Sequence, residues 1–363
     1  MQLTLYLFIC ILFTSKTRGD WMKVGIIGAT GYGGLELIRL LHNHSKVESI
    51  TLFTSSDEGA LFSAKYPHLK GLYDFPLEAI TKEAIAKLDV VFTSTPSGVS
   101  GQLLPDVANA HTTFIDLSGD LRLKDIADYE TWYHKKPAPQ AFVDKAMYGL
   151  AEWQDTTGAK VIANPGCYPT AVLLSLLPLL KENLIDGSQL IIDAKSGISG
   201  SGNKPSQGTH FTENTEATSI YKVNKHQHIP EIEQAIAMYA GESYPITFST
   251  HLVPMIRGII ATSYAPLKDG VTETDLYAAY DKYYAQKPFV RVLQDATRVS
   301  TNQVRGTNFC DIHVNVDART NRVTIVSVID NLVKGAAGQA IQNMNLLFGY
   351  DETEGLTQVP IFI

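Results

Sequence analysis

The stretch Val24-Gly-Ile-Ile-Gly-Ala-Thr-Gly-Tyr-Gly-Gly34 decides the fold of this chain. It opens with an apolar run typical of a buried parallel strand, and a helix that is apolar on one face is predicted to follow over residues 35–42. A strand, a glycine-rich turn and a helix in this order make a dinucleotide-binding unit, because bare backbone can approach a pyrophosphate at the helix N-terminus. We therefore predict a nucleotide cradle formed by Gly28, Thr30, Gly31, Tyr32 and Gly33.

The next strand, predicted over residues 49–53, indicates which nicotinamide cofactor is used. It ends in Thr54-Ser-Ser-Asp57, where an NAD site usually carries an acid that holds the ribose hydroxyls. Serine hydroxyls can hydrogen-bond a 2′-phosphate that a carboxylate would repel. We therefore predict NADP as the cofactor, with Ser55 and Ser56 among its ligands, although Asp57 could restore some use of NAD. In the alternative interpretation these residues only cap the following turn.

Two further buried strands, predicted over residues 89–94 and 113–117, extend the same pattern. Pro96 and Ser97 follow the carboxyl end of the first of them, where a bound cofactor would be contacted. Strands and helices alternate through about residue 150, which indicates a doubly wound, Rossmann-type α/β sheet. We predict an NADP-binding domain over residues 22–163.

A second stretch, Asn164-Pro-Gly-Cys-Tyr-Pro-Thr170, lies between a strand predicted over 160–163 and a helix predicted over 171–181. This order places the thiol of Cys167 at the start of a helix, among free backbone N–H groups and at the positive end of the helix dipole. Both effects favour the thiolate, which is the nucleophilic form. We predict that Cys167 is a covalent catalyst. The alternative is a buried structural cysteine.

His226 and His228 precede another predicted helix. In an extended backbone, residues two apart share a face, so both imidazoles could point into one cleft. A histidine near Cys167 could assist ionisation of the thiol and then donate or accept a proton. The competing interpretations are a zinc site, which would lack its third and fourth ligands, and two surface histidines that cap a helix. We predict no metal.

The remaining segments indicate a second, α+β domain over residues 164–331 with a mixed or antiparallel sheet, a surface often used for subunit pairing. A strand predicted over 190–194 leads into a flexible loop over 195–202 that can close over an anion. Lys195 either adds positive charge for a carboxylate or phosphate or is solvated, and Arg257 is either an anion ligand or structural. A last helix within 332–349 has small residues suited to packing back on the first domain.

Composition limits the partners and the compartment. A formal net charge of −7 argues against a nucleic-acid surface, so small molecules are the expected partners. The three cysteines, Cys10, Cys167 and Cys310, form no close pair and indicate a reducing compartment, the cytoplasm. Residues 3–13 are apolar but too few to span a bilayer. We interpret residues 1–21 as an upstream extension or misassigned start, with secretion or membrane anchoring as the minority interpretation.

A nicotinamide domain joined to a domain that holds an activated cysteine and a histidine suits the interconversion of an aldehyde and an acyl derivative. The thiolate would attack the acyl carbon and form a thioester, and hydride transfer would link that thioester to a thiohemiacetal. The residues by themselves do not identify the acyl group.

A series of motifs occurs here in the order found in the N-acetyl-gamma-glutamyl-phosphate reductases of the semialdehyde dehydrogenase superfamily, and from Met22 to about Leu356 the chain resembles that family. The motifs are Gly28-Ala-Thr-Gly-Tyr-Gly-Gly34, Asp116-Leu-Ser-Gly-Asp-Leu-Arg-Leu123, Tyr148-Gly-Leu150, Asn164-Pro-Gly-Cys-Tyr-Pro-Thr170, Lys195-Ser-Gly-Ile-Ser-Gly200, His226-Gln-His228, His251-Leu-Val-Pro254 and Asn331-Leu-Val-Lys-Gly-Ala-Ala-Gly-Gln339.

The resemblance implies a step of arginine biosynthesis, in which NADPH reduces N-acetyl-gamma-glutamyl phosphate to the semialdehyde and phosphate is released. Cys167 matches the family's nucleophile, and the histidine pair matches its acid/base region, with His226 narrowly preferred. Further expected cofactor contacts are Ser196, Gly197 and Asn331. Further expected substrate contacts are Arg122, Asn164, Ser199 and Glu231. A homo-oligomer, either a dimer or a tetramer, is expected.

The chain departs from the family pattern at two positions. Ser97 stands where a histidine often follows the proline, which affects a contact on the cofactor side, and Ser56 stands where an arginine often occurs, which affects the strength of the NADP preference. Rival functions are N-acetyl-aminoadipyl-phosphate reductase, aspartate-semialdehyde dehydrogenase and, outside the enzymes, a nucleotide-sensing binding protein.

Overall fold

The apolar run of the first motif forms β1 (Met22–Ile27), the strand around which the first sheet is built. The computed structural model describes residues 21–294 and 298–363, so the interpretation of the leader concerns a segment that lies, except for Trp21, outside the described residues. Within these described ranges, no helix is both long enough and apolar enough to cross a lipid bilayer.

The first half of the chain alternates short strands with helices. After β1 come α1 (Tyr32–Leu41), β2 (Val47–Thr54), α2 (Phe62–Lys65), β3 (Glu78–Ala79), α3 (Lys82–Ile85), β4 (Val90–Thr93), α4 (Ser100–Val107), β5 (Thr113–Asp116), α5 (Ile126–Tyr133), α6 (Gln140–Val143), β6 (Ala146–Tyr148) and β7 (Val161–Ala163).

These strands form one sheet in the order β3-β2-β1-β4-β5-β7-β6, in which every pairing is parallel. Apolar clusters cover both faces, one containing Val24 and Ile26 and the other Ile27 and Phe53. The doubly wound α/β prediction is confirmed. Because the strands are parallel, the turns that follow β1, β4, β5 and β7 lie along the same edge of the sheet, where such folds bind their ligands.

The second half contains longer strands and three long helices. Its elements are α7 (Cys167–Lys181), β8 (Ile191–Gly197), α8 (Phe211–Asn214), β9 (Ser219–Tyr221), α9 (His228–Ala240), β10 (Thr247–Val253), β11 (Ile259–Pro266), α10 (Glu273–Tyr284), β12 (Val290–Val292), β13 (Cys310–Asp317), β14 (Arg322–Ile329), a π-helical turn (Val333–Ala337) and α11 (Gly338–Leu347).

The second sheet has the order β12-β13-β14-β11-β8-β10-β9 and is mixed, since β8 pairs with β10 in parallel and with β11 antiparallel. Its core joins α7, α9 and α10 to one face of the sheet. The prediction of a mixed sheet is confirmed, but the flexible loop predicted over 195–202 is wrong in its first part. Residues 195–197 complete β8, and a 3₁₀ turn, Ile198–Ser201, follows directly.

Two helix boundaries differ from the prediction in ways that matter for the site. α7 begins at Cys167 rather than at residue 171, because Gly166 is already its N-cap and the Thr170 N–H donates to the Gly166 carbonyl at 3.0 Å. The last helix begins with a π-helical turn, and α11 then packs Ala340, Ile341 and Met344 into the core of the first sheet.

Candidate active site

Cys167 is the first residue of α7, and the turn that carries it is fixed on both sides. The Asn164 N–H donates to the Asp116 carbonyl at 2.8 Å, which ties the turn to the end of β5. The Gly166 N–H donates to Oε1 of Glu231 at 2.7 Å, so a buried carboxylate holds the residue immediately before the nucleophile. No side chain caps the N-terminus of α7.

The ionisation of Cys167 differs from the prediction. Burial raises the pKa of the Cys167 thiol to about 11, while the Arg122 guanidinium and the Tyr168 N–H act in the opposite direction. The N–H groups at the helix start do favour the thiolate, as expected, but loss of solvent outweighs them and the nearby cation, so the predicted net lowering of the pKa is wrong. Deprotonation of this thiol at neutral pH requires a base close by.

Arg122 and Glu231 form a buried ion pair at 3.3 Å, next to the turn that carries the nucleophile. Arg122 also donates through Nε to the Asn164 carbonyl and through Nη2 to the Leu117 carbonyl, both at 2.8 Å. Glu231 additionally accepts from the Tyr148 hydroxyl at 2.8 Å. Both residues were expected to contact substrate. They hold Asn164 and Gly166 in place, and their contact with substrate stays a prediction.

The histidine pair reaches the same cluster, although not in the extended conformation expected. His228 begins α9, and its backbone N–H donates to Nδ1 of His226 at 3.1 Å. The two ring centroids are 4.7 Å apart. Because Nδ1 of His226 accepts this bond, its neutral ring carries the proton on Nε2, as assigned from the hydrogen bond.

Both imidazoles are neutral over the physiological pH range. Burial lowers the pKa of His226 to about 3 and places the pKa of His228 well below its ordinary value. A methyl group added at Gly166 would lie 2.5 Å from Nε2 of His228, so this ring packs against the turn that carries Cys167. The preference for His226 over His228 as the acid/base stays a prediction.

The buried histidines also predict how stability depends on pH. The unfolded chain protonates His226 below about pH 6.5, but the folded state keeps it neutral down to about pH 3. Its contribution is therefore present above pH 6.5 and is lost as pH falls towards 3, at about 1.4 kcal/mol per pH unit. Urea unfolding at pH 7.0 and 5.5 should give a shallower pH dependence for His226→Gln than for the wild type. Equal slopes would show that this histidine is not buried neutral.

The glycine turn after β1, which is the predicted nucleotide cradle, has the shape that a dinucleotide requires. Gly28 has φ +86°, and a methyl group there would lie 2.8 Å from the carbonyl carbon of Ser94. A methyl group at Gly33 would lie 2.5 Å from the Ser94 hydroxyl oxygen. No side chain caps the N-terminus of α1. At Gly28 and Gly33 the turn therefore favours bare backbone, and the uncapped helix N-terminus suits an anion.

Two other elements contact this turn. The carbonyl of Thr30 accepts from the Tyr66 hydroxyl at 2.7 Å and from Nδ2 of Asn203 at 2.8 Å. Because Asn203 belongs to the second half of the chain, it links that half to the cradle. Tyr32 is 40% exposed and Gly31 is open to an added side chain.

The hydroxyl-rich corner after β2 is accessible, as a site for a 2′-phosphate requires. Ser55 and Ser56 are exposed, and the Ser56 hydroxyl donates to Asp57 at 3.1 Å. Lys65, at the end of α2, lies 3.4 Å from the same Asp57 carboxylate. No motif in the sequence marks this lysine. It is eight residues after Asp57, and only the fold brings its ammonium to the corner where an arginine is expected from the resemblance.

The remaining predicted cofactor residues lie after β4 and at the domain junction. Ser97 donates to the Ser118 carbonyl at 3.0 Å, and Pro96 next to it is exposed. Asn331 is buried, accepts from the Gly258 N–H at 2.7 Å and donates to the Ser199 hydroxyl at 3.0 Å. Ser196 and Gly197 are the last residues of β8 and are also buried. Their contact with a cofactor stays a prediction.

Two predicted substrate ligands are engaged elsewhere. Lys195 pairs with Asp193 at 2.5 Å, and both alternate along β8 with Ala194, which faces the core beneath α7. Lys195 thus projects from the opposite face of the sheet to Cys167. Arg257 pairs with Glu36 of α1 at 2.6 Å and with Asp330 at 3.0 Å. Of the two alternatives considered for Arg257, the free protein shows the structural one.

Two models of known families match most of the chain. Residues 23–160 match the model described as semialdehyde dehydrogenase, NAD binding domain, and residues 167–331 match the one described as semialdehyde dehydrogenase, dimerisation domain. The break between the two matches falls at the turn that precedes Cys167.

Curated relatives are similar over nearly the full length. The N-acetyl-gamma-glutamyl-phosphate reductase of Bacillus subtilis (strain 168) is 54% identical over 344 residues, which cover 94% of this chain and 100% of the relative. The protein of the same name from Geobacillus stearothermophilus is 52% identical over 343 residues, with 94% and 99% covered.

Solved structures show the same fold at low sequence identity. Aspartate semialdehyde dehydrogenase II from Vibrio cholerae has a TM-score of 0.69 at 16% identity and covers 91% of this chain and 98% of that one. Aspartate semialdehyde dehydrogenase with NADP from Candida albicans has a TM-score of 0.66 at 17% identity, with 90% and 98% covered.

Proposed function

Because the chain belongs to the N-acetyl-gamma-glutamyl-phosphate reductases of the semialdehyde dehydrogenase family, we propose that it reduces N-acetyl-gamma-glutamyl phosphate to N-acetylglutamate 5-semialdehyde and releases phosphate. This is an NADPH-dependent step of arginine biosynthesis. The observation that supports it most strongly is the position of Cys167 at the start of α7, beside Arg122 and the histidine pair and at the sheet edge that carries the glycine cradle.

The first chemical step belongs to Cys167. A neutral histidine of the pair accepts the thiol proton, Sγ attacks the acyl carbon, and the bond to the phosphate oxygen breaks, which leaves a thioester on Cys167. Burial raises the pKa of this half-buried thiol to about 11, so in our proposal the histidine takes the proton as Sγ attacks. Arg122 lies close enough to favour the anionic sulfur and the departing phosphate.

The start of α7 also stabilises the oxyanion. The backbone N–H groups of Cys167 and Tyr168 are directed at the sulfur. We propose that they also donate to the adjacent acyl oxygen, on which negative charge develops as the sulfur attacks. Loss of one such donor typically costs about 2.7–4 kcal/mol in the barrier. After hydride transfer, the alkoxide re-forms a C=O bond as the C–S bond breaks, and the protonated histidine of the pair returns its proton to the departing sulfur of Cys167, which frees the aldehyde.

Bound NADPH supplies the hydride that reduces the thioester. In our proposal Gly28, Gly31 and Gly33 would hold its pyrophosphate at the N-terminus of α1, and Ser55 and Ser56 would hold its 2′-phosphate. Pro96, Ser97, Ser196, Gly197 and Asn331 contact its other end. Thr30 and Tyr32 complete the cradle, and Arg122, Asn164, Ser199 and Glu231 surround the substrate.

We propose that Lys65 takes the place of the missing arginine at the 2′-phosphate. Lys65→Met should raise the KM for NADPH about tenfold, which corresponds to about 1.4 kcal/mol, and leave the KM for NADH unchanged because NADH lacks that phosphate. Initial rates with both cofactors test this. Lys70→Met, at another exposed lysine of the same region, is the matched control. An equal effect on both cofactors would refute the assignment.

The function is tested in the reverse direction, with semialdehyde, inorganic phosphate and NADP⁺. We expect phosphate-dependent NADP⁺ reduction with N-acetylglutamate semialdehyde and much less with N-acetyl-aminoadipate semialdehyde or aspartate semialdehyde. A preference for either competitor would reassign the substrate. Binding of nucleotide without turnover of any of them would favour the nucleotide-sensing alternative. Protein starting at Met22 should behave like the full chain.

The oligomeric state and the cellular compartment are two further parts of the proposal. The matched dimerisation domain supports a homo-oligomer, which we propose to be a dimer or a tetramer. In the described residues Cys167 and Cys310 are free thiols, and a thioester mechanism requires a reduced cysteine, so we propose a cytoplasmic enzyme. We further propose an NADP-binding domain over 22–163, rejoined by 332–349, and a catalytic and oligomerisation domain over 164–331.

A further inference from the structure

Lys334 is a fully buried cation that the proposed mechanism does not use. Its Nζ lies 2.5 Å from Oε1 of Glu152, whose side chain is also fully buried, and 2.8 Å from Oε1 of Gln342. The ammonium also lies 5.6 Å from the centre of the Phe289 ring. The cation therefore lies in the protein interior, between the segment after β6 and the last helix.

Such a pair is weak evidence for stability. Removing two charges from water costs several kcal/mol per ion, and well-packed apolar side chains of similar volume often stabilise a protein as much or more. A buried ion pair can instead fix one geometry among several, which is its best-attested use. The question is then which geometry the Lys334–Glu152 pair fixes.

Lys334 lies on the π-helical turn Val333–Ala337, and Glu152 pairs with it from the segment after β6. The Gly335 N–H donates to the Asp330 carbonyl at 3.0 Å and the Ala337 N–H to the Leu332 carbonyl at 2.9 Å, both across five residues. The extra residue in such a turn widens it, and π-helical turns are frequently found at functional sites. Lys334 is the second residue of this turn, next to Gly335 at its centre.

The residues beside Lys334 touch the nucleophile. A methyl group at Gly335 would lie 2.7 Å from Cβ of Cys167 and 3.1 Å from its Cα. The next carbonyl, that of Ala336, accepts from Nδ2 of Asn164 at 3.1 Å. The turn therefore packs directly against Cys167 and is hydrogen-bonded to Asn164, so we expect a movement of the turn to displace the nucleophile or the residues that precede it.

We propose that Lys334 and Glu152 are positioning residues for Cys167. The ion pair holds the π-helical turn against the start of α7, and this sets the position of the sulfur relative to the N–H groups and the histidine pair. The proposal rests on the proposed function, since it concerns the same nucleophile. It adds a structural reason for a buried charge 182 residues distant in sequence from its partner.

The test compares Lys334→Met with Arg291→Met. Arg291 pairs at 2.6 Å with the buried Asp311, so its loss also leaves a buried carboxylate, but one on β13 rather than one that pairs with the π-helical turn. For both full-length variants we would measure the thermal midpoint, the NADPH dissociation constant, kcat, and the rate of Cys167 alkylation by iodoacetamide against pH.

Both variants should lose thermal stability. Only Lys334→Met should lower kcat, by about tenfold to a hundredfold as expected for a displaced reacting group, with an unchanged NADPH dissociation constant. Its alkylation profile should shift to higher pH, because the sulfur loses its alignment with the N–H donors. If Lys334→Met lowers the midpoint and leaves kcat and the alkylation profile as in Arg291→Met, the proposal is overturned.

Glu152→Gln provides a second route if Lys334→Met does not fold. It keeps the shape and an acceptor for Lys334, so a smaller change in kcat with the same direction of the alkylation shift supports the proposal, and no shift overturns it. Alkylation needs neither substrate nor cofactor. A failure of the proposed function would appear in the wild-type assay and leave this comparison intact.

Discussion

Cys167→Ser should lower kcat/KM for the acyl phosphate by roughly 10⁴-fold or more, while NADPH still binds. A serine hydroxyl in this pocket is far harder to ionise than the thiol, whose own pKa is already raised to about 11 by burial. The cradle lies on β1, β4 and α1, and none of its contacts involves Cys167. NADPH oxidation and a fluorescence titration of NADPH measure the two properties separately.

Cys310→Ala is the matched control for this substitution. Cys310 is fully buried at the start of β13, and it packs in the core of the second sheet. Its removal should lower the thermal midpoint and leave kcat/KM per folded molecule unchanged. Turnover retained by Cys167→Ser, or abolished by Cys310→Ala with the fold intact, would contradict the assignment of the nucleophile.

Gly166→Ala should produce the second largest loss, with kcat lower by on the order of a hundredfold. The backbone there has φ −68°, which alanine adopts without strain, so the effect is steric alone. The new methyl group would lie 2.5 Å from Nε2 of His228 and 2.9 Å from Nη1 of Arg122. Either neighbour must move, and both are buried groups beside the nucleophile.

Overpacking of this kind typically also costs about 1–3 kcal/mol in the free energy of unfolding. Gly208→Ala is the control, because an added methyl group there meets no atom within 4 Å. Steady-state kinetics and urea unfolding of both variants measure the two effects. Wild-type kcat in Gly166→Ala would show that neither His228 nor Arg122 needs its present position.

The nucleotide half could be predicted well from the sequence because its signals are local. The apolar run of β1, the glycines after it and the amphipathic α1 are contiguous, so one segment of the chain carries the whole pattern, although the close approach of Gly28 and Gly33 to Ser94 is visible only in the fold. The same holds for the turn before Cys167. The predicted start of α7, at residue 171, was four residues too late because Pro169 in the first turn obscured the N-cap at Gly166.

The ionisation of the site could not be predicted in this way. The dipole and the free N–H groups are local, but the burial that outweighs them depends on α9 and on the π-helical turn, which come from distant parts of the sequence. The roles of Arg122 and Glu231 show the same limit. They are 109 residues apart, and only the fold reveals that they pair and hold the turn.

The roles of the charged residues stayed open at the level of sequence for a related reason. Lys195 and Arg257 are near the site in motif order, yet the pleat of β8 directs one to the far face and two carboxylates bind the other. Lys65, which no motif marks, reaches the corner after β2. Whether a cation is free for a ligand depends on its long-range partners, which spacing does not encode.

The most direct test of the account is a mass spectrum of enzyme quenched in acid during turnover of N-acetyl-gamma-glutamyl phosphate without NADPH. The account predicts that the peptide containing Cys167 gains the mass of the N-acetylglutamyl acyl group and that Cys167→Ser gains none. An unmodified Cys167 peptide from enzyme that is active when NADPH is present would contradict covalent catalysis by this cysteine.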